Sequence, residues 1–181
     1  MNGAAGPERR TIALVGLMGV GKTSVGKRLA RALELPFYDA DEEIERAARR
    51  SVSEIFADLG EAEFREGERR VIARLLSGPA HVLATGGGAF VNAETRALLK
   101  EKAFVVWLKA DLDVLARRVA RRDTRPLLRG RDPAEVLKAQ AEARYPVYAE
   151  AHVVVETGEG SHQAAVEQVL AALGPSERGA A

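Results

Sequence analysis

GLMGVGKT, residues 16–23, satisfies the pattern G-x-x-x-x-G-K-[ST] at every fixed position. The pattern describes a physical device. Consecutive backbone N–H groups curl around phosphate oxygens, and the glycines let the backbone come close. Lys22 is expected to reach the β- and γ-phosphates and the Thr23 hydroxyl to ligate Mg²⁺. The helix that follows aims its positive end at the same anion. The surroundings agree. TIALV, residues 11–15, is short, apolar and rich in β-branched residues, so it reads as a buried strand. Val25, Leu29 and Leu33 then recur at i, i+4 and i+8, one apolar face of a helix. A chance match in an Ala/Gly-rich chain, or a glycine turn that only starts a helix, is the bland alternative. The motif specifies nucleotide binding and is silent on what happens to the nucleotide.

Working outward, three more apolar runs read as buried strands: HVLAT at 81–85, AFVVWL at 103–108 and HVVV at 152–155, with PFY at 36–38 a weaker fourth. Helical faces separate them. Phe64, Val71, Ile72 and Leu75 share one, Leu112, Leu115 and Val119 another, and Val166, Val169, Leu170 and Leu173 mark the last. Strands alternating with helices predict an α/β fold, a parallel sheet covered on both sides. Ligands in such folds bind at the carboxyl ends of the strands.

The 181 residues suit one globular domain. Hydrophobic content of 46% and charged content of 29% are ordinary for a soluble protein. A net charge of +1 demands no nucleic-acid or membrane partner. The chain shows no apolar run long enough to span a membrane and no signal-peptide architecture. With no cysteine it has no disulfide, thiolate metal site or cysteine nucleophile, and the cytoplasm is the expected compartment. The polar first ten residues are expected to fray, and residues 174–181 to be disordered.

Two stretches break the alternation. Residues 41–67 hold charged helical segments broken at Gly60. Residues 121–133 are rich in arginine and carry Pro126, Gly130 and Pro133, which predicts a mobile basic loop able to close over a nucleotide. Seven of the chain's 21 arginines lie between Arg117 and Arg131. Most such arginines sit on solvated helix faces, but the planar fork also suits phosphate oxygens.

Asp39 and Asp41 follow Phe37 and Tyr38. As an extended segment, this stretch is expected to offer one carboxylate to a metal and one to an acceptor hydroxyl. Equally, one of them can cap the helix starting near Glu42, and Asp41 can do that while binding a ligand. Gly86, Gly87 and Gly88 directly follow a strand. They let backbone N–H groups approach a ligand, whereas a tight turn alone usually needs a single glycine. Arg65 and Glu68 have the spacing of a surface i,i+3 ion pair. Arg144 lies at a helix end expected at Pro146, where interaction with the helix dipole is the ordinary reading. The chain lacks Asn-Lys-x-Asp and Asp-x-x-Gly, so a GTPase is disfavoured, and Asp111 reads as a helix cap rather than a strand-end metal ligand. The three histidines have no metal-ligand spacing. These absences suit a small kinase more than a motor ATPase.

In order and spacing, these segments resemble the shikimate kinase family over residues 11–173. The carriers are the loop at 16–23, FYDADEEIE at 37–45, GEAEFR at 60–65, GGG at 86–88, RPLL at 125–128 and RYPVY at 144–148. The resemblance implies a three-layer α/β sandwich with a five-stranded parallel sheet, of the phosphate-loop kinase type. It implies one domain over residues 1–181, with a substrate-binding segment at about 39–67 and a lid at about 118–133. The implied reaction is transfer of the ATP γ-phosphoryl to the 3-hydroxyl of shikimate, on the route to aromatic amino acids. Gly19, Val20, Gly21, Lys22, Thr23, Ser24, Arg118 and Arg125 would bind ATP. Arg118 would lie against adenine, and Arg125, on the lid, would contact phosphates. Asp41, Arg65, Gly86, Gly87, Gly88 and Arg144 would hold shikimate. Lys22, Asp41 and Arg125 would act in catalysis, with Thr23 and Asp39 supporting Mg²⁺, the latter through water. The implied partners are ATP and shikimate alone, with no nucleic acid, no membrane and a monomeric state.

One departure stands out. Residues 156–161, ETGEGS, lack the basic residue that many members carry in the adenine-facing loop. Two rival readings share the first motif. A gluconate kinase of the same fold has less need of two arginines beside a triple glycine. A nucleotide-binding regulatory module has less need of paired aspartates and a basic lid.

Overall fold

The computed structural model describes residues 9–122 and 130–178. β1 (Thr11–Val15) occupies the middle of a five-stranded sheet of order β2-β3-β1-β4-β5. The others are β2 (Phe37–Asp39), β3 (Val82–Ala84), β4 (Ala103–Lys109) and β5 (Val153–Glu156), and every pairing is parallel. All five residues of β1 are buried, as a strand covered on both faces requires. The apolar runs thus lie within one residue of the strands they predicted.

Helices supply the crossovers, α1 (Lys22–Leu33), α2 (Ala40–Ala48), α3 (Val52–Leu76), α4 (Ala93–Lys102), α5 (Leu112–Ala120) and α6 (Pro133–Tyr148), and α7 (His162–Ala172) and the short α8 (Pro175–Arg178) follow the last strand. Val25, Leu29 and Leu33 form the buried face of α1. Alongside them Gly26 lets α1 lie flat on the sheet, since a Cβ there would come 2.5 Å from Phe37 Cε2. After β1 the chain turns toward the β2 edge, whereas after β4 it turns toward β5. The crevice at this divergence is where α/β sheets place ligands.

Residues 40–76 carry a separate small core of Ile44, Ile55, Phe64 and Val71. Ser51 opens α3 with a full capping box to Glu54. Gly60 breaks it, at φ 83° and ψ 173°. The stretch expected to bind substrate, residues 39–67, contains α2 and the first part of α3.

Four expectations need correction. Asp41 is not on an extended segment, because β2 ends at Asp39 and α2 begins at Ala40. Pro146 does not end α6, which continues to Tyr148. Within the last turn one missing hydrogen bond costs little, and packing of Tyr145 and Tyr148 on Trp107 holds the turn. The tail is ordered through Arg178. Glu177 is buried, its Oε2 accepts from Gly174 N at 2.9 Å, and Arg10 lies 3.8 Å away. Asp111 is the N-cap of α5 by position, but its side chain makes no capping bond. Much of the expected lid, including Arg125, lies outside the described residues. No helix among the described residues is long and apolar enough to cross a membrane.

Candidate active site

The loop after β1 wraps tightly because Gly16, Gly19 and Gly21 adopt positive φ. Gly16 also faces β4, where a Cβ would meet the Leu108 carbonyl oxygen at 2.5 Å. Lys22 Nζ donates to the carbonyls of Gly16 (2.6 Å) and Leu17 (3.1 Å), so the ammonium lies across the mouth of the loop. Gly19, Gly21, Lys22, Thr23, Ser24 and Arg118 line one cavity of about 390 Å³. Val20 does not line it; its side chain is buried against the core.

Arg118, on the wall of this cavity, donates to Gly19 O at 3.2 Å and to Gly158 O at 2.9 Å. Gly160, Ser161 and His162 form the opposite wall. His162, the residue directly after the 156–161 loop, carried no sequence signal of a site role. It faces Gly21, and burial first, then Arg118, Arg28 and Arg122, push its pKa below the usual histidine range. The pocket therefore holds a neutral imidazole where the ETGEGS loop lacks a cation.

Asp39 joins the two halves of the site. Its Oδ1 caps α2, accepting from Asp41 N at 2.9 Å and Glu42 N at 3.4 Å. Its Oδ2 accepts from the Thr23 hydroxyl at 3.0 Å. The cap and the contact to the phosphate loop thus reside in one carboxylate. Hydroxyl and carboxylate oxygens of this kind suit a hard divalent ion that keeps water and phosphate ligands. Among the described residues no three His, Cys, Asp or Glu side chains gather as a protein-only metal cage.

The acceptor half gathers around Gly86, Gly87 and Gly88. None of the three has positive φ; close approach explains them instead. A Cβ at Gly86 would lie 3.0 Å from Asp41 Oδ1 and 3.2 Å from Glu68 Oε2. At Gly87 it would lie 3.0 Å from Arg144 Nη1, and at Gly88 it would overlap the Arg65 guanidinium. Four side chains, from α2, α3 and α6, therefore reach the turn only because it is bare.

Arg65 and Glu68 do pair, at 2.8 Å, but not on the surface, because Glu68 is only 1% exposed. Its second oxygen, Oε2, has no hydrogen-bond partner. Burial raises the Glu68 pKa; Arg65 opposes this, and the nearby Asp41 charge adds to it. Glu68 holds the Arg65 guanidinium against Gly88. The signal was legible: Glu68 falls four residues after Phe64 and three before Val71, inside the apolar stripe.

A parallel sheet with a phosphate loop at its centre, and two guanidiniums and a carboxylate gathered on a bare turn beside it, defines a phosphate-loop kinase of a small molecule. Comparison with known proteins narrows the class. The family model for shikimate kinase matches residues 18–174. A shikimate kinase of Caulobacter vibrioides strain NA1000 is 71% identical over 164 residues, 91% of this chain and 82% of that protein. The chain belongs to the shikimate kinase family. A solved shikimate kinase from Acinetobacter baumannii, in complex with shikimate, superposes with a TM-score of 0.86 at 39% identity, covering 91% of this chain and 92% of that one. A gluconokinase from Sinorhizobium meliloti, with a TM-score of 0.63 at 20% identity over 91% of this chain and 90% of its own, shares the fold alone.

Proposed function

We infer that this chain is a shikimate kinase, transferring the γ-phosphoryl of ATP to the 3-hydroxyl of shikimate to give 3-phosphoshikimate and ADP. The observation that carries the reading is the convergence of Asp41, Arg65 and Arg144 on one bare glycine turn beside the phosphate loop. Shikimate offers a carboxylate and three hydroxyls. Two guanidiniums suit the carboxylate, and Asp41 accepts from a hydroxyl.

The chain's own residues perform the transfer by positioning and charge. Backbone N–H groups of residues 19–24 hold the phosphates, and Lys22 swings from the loop carbonyls onto the β- and γ-oxygens. Arg65 and Arg144 fix the acid, so that the 3-hydroxyl points at the γ-phosphorus. Asp41 orients that hydroxyl and takes its proton as the O–P bond forms. Thr23, supported by Asp39, would hold Mg²⁺, which supplies charge neutralisation across the phosphates. Arg118 and His162 flank the adenine, and Arg125 contributes positive charge to the transferring phosphoryl. The reading extends to a cytoplasmic monomer, and a net charge of +1 supports its needing neither nucleic acid nor membrane.

The test is ADP release with shikimate, quinate, gluconate, nucleoside monophosphates or no acceptor. Turnover is expected with shikimate. Turnover with gluconate and not shikimate refutes the reading.

A further inference from the structure

We propose that Tyr148 is a positioning residue that ties Arg144 to the glycine turn and sets both for the acceptor's carboxylate. The inference rests on the acceptor site proposed above. Tyr148 is fully buried at the end of α6, and a buried phenol needs a partner for its hydroxyl. It takes a specific one. The hydroxyl donates to the carbonyl of Gly87, the middle residue of the turn. The Arg144 guanidinium stands at the same residue, since a Cβ on Gly87 would lie 3.0 Å from its Nη1, and its charge acts on the phenol. Arg144 and Tyr148 are four residues apart on one helix, so their side chains share a face. The phenol is thus a relay from the Arg144 face of α6 to the Gly87 carbonyl.

The geometry has a consequence for the turn. The Gly87 carbonyl and the Gly88 N–H belong to one planar trans peptide and point in opposite senses. Holding the carbonyl toward Tyr148 directs the Gly88 N–H away from it. With no side chains on three successive glycines, little else restrains that peptide plane. The ring is itself held, with its centroid 5.7 Å from Trp107 and 6.5 Å from Tyr145. Burial raises the phenol's pKa, which keeps the donor protonated.

Tyr148→Phe keeps the packed ring and deletes the relay. Steady-state ADP release is measured with each substrate varied in turn, together with thermal melting. The expected result is a shikimate KM raised about tenfold, the equivalent of one hydrogen bond, with the ATP KM unchanged. The methyl ester of shikimate, which lacks the anionic carboxylate, is expected to lose much less on the same substitution. An unchanged shikimate KM overturns the proposal, and so does an equal rise in both KM values, which marks a purely structural role. Absence of shikimate turnover by the unmodified protein overturns the functional reading and this inference together. Normal turnover with an insensitive Tyr148→Phe overturns this inference alone.

Discussion

Asp39 performs two tasks with two oxygens, and two substitutions separate them. Oδ1 makes one good capping bond to Asp41 N at 2.9 Å and a long one to Glu42 N at 3.4 Å, while Oδ2 receives the Thr23 hydroxyl. Asp39→Ala removes both functions. Loss of an N-cap costs about 1 kcal/mol. For a chain of this size that lowers the melting temperature by about 2–4 °C. Asp39→Asn keeps a cap of equal quality and loses only the charge. The helix dipole misses that charge little, because Asp41, Glu42 and Glu43 already occupy the first turn of α2. The Asn variant is therefore expected to melt with the unmodified protein. Both variants lose the carboxylate that supports Thr23 and the metal, so activity at limiting Mg²⁺ is expected to fall about 10- to 100-fold in each. The assay is ADP release across a Mg²⁺ titration, with parallel thermal melts. If Asp39→Asn restores the Mg²⁺ dependence and turnover lost in Asp39→Ala, the carboxylate is only a cap and the metal role is refuted. If Asp39→Ala melts normally, the capping argument fails.

Asp41→Asn is expected to remove most turnover while ATP binding, followed by equilibrium titration, survives; near-normal turnover sinks the role given to Asp41. Arg65→Ala and Arg144→Ala are each expected to raise the shikimate KM and leave the ATP KM alone, with Glu68→Gln a weaker version of the first. An unmoved shikimate KM in both arginine variants argues against the carboxylate clamp. Stability is expected to decline as pH falls below about 6.5, the ordinary histidine value, because His81 and His152 are both shifted below it, chiefly by burial. Each is folded in the neutral form: His81 Nε2 is buried without a partner, and His152 Nδ1 accepts from Val105 N at 2.9 Å. Their stabilisation is complete above 6.5 and is lost as pH drops through the depressed folded values. Glu68, with its raised pKa, acts in the opposite sense, so the readout is a comparison: His152→Asn, which can still accept from Val105, is expected to flatten the decline in melting temperature between pH 7 and 5. An identical pH profile in that variant refutes the assignment to His152.

Much of the fold was legible in the chain because apolar patterning and glycine spacing are local properties. The phosphate loop declared itself at 16–23, four strands fell where apolar runs predicted them, and β2 fell at the weaker candidate, residues 36–38. The order β2-β3-β1-β4-β5 follows from pairings between residues far apart in sequence, such as Ile12 with Val82 and with Phe104, which local patterning does not specify.

The site divides along the same line. Lys22, Thr23 and the two aspartates were legible as residue types in a motif, whereas their duties were not. Spacing left open whether Asp39 or Asp41 capped α2; the turn of the chain out of β2 gave the cap to Asp39 and freed Asp41 to face Gly86. The triple glycine was legible as unusual, yet its reason, the approach of Asp41, Arg144 and Arg65 from three helices, exists only in three dimensions. Glu68 passed for a surface partner because an i,i+3 pair reads alike in water and in a core. Tyr148 stood in the RYPVY motif with no role assigned to it. By itself, then, the sequence determined a phosphate-gripping α/β kinase and most of its reactive groups, since those follow from short-range chemistry. Only the tertiary structure decided which side chains share a space with a bare turn, because burial and contact between residues far apart in the chain depend on the packed whole.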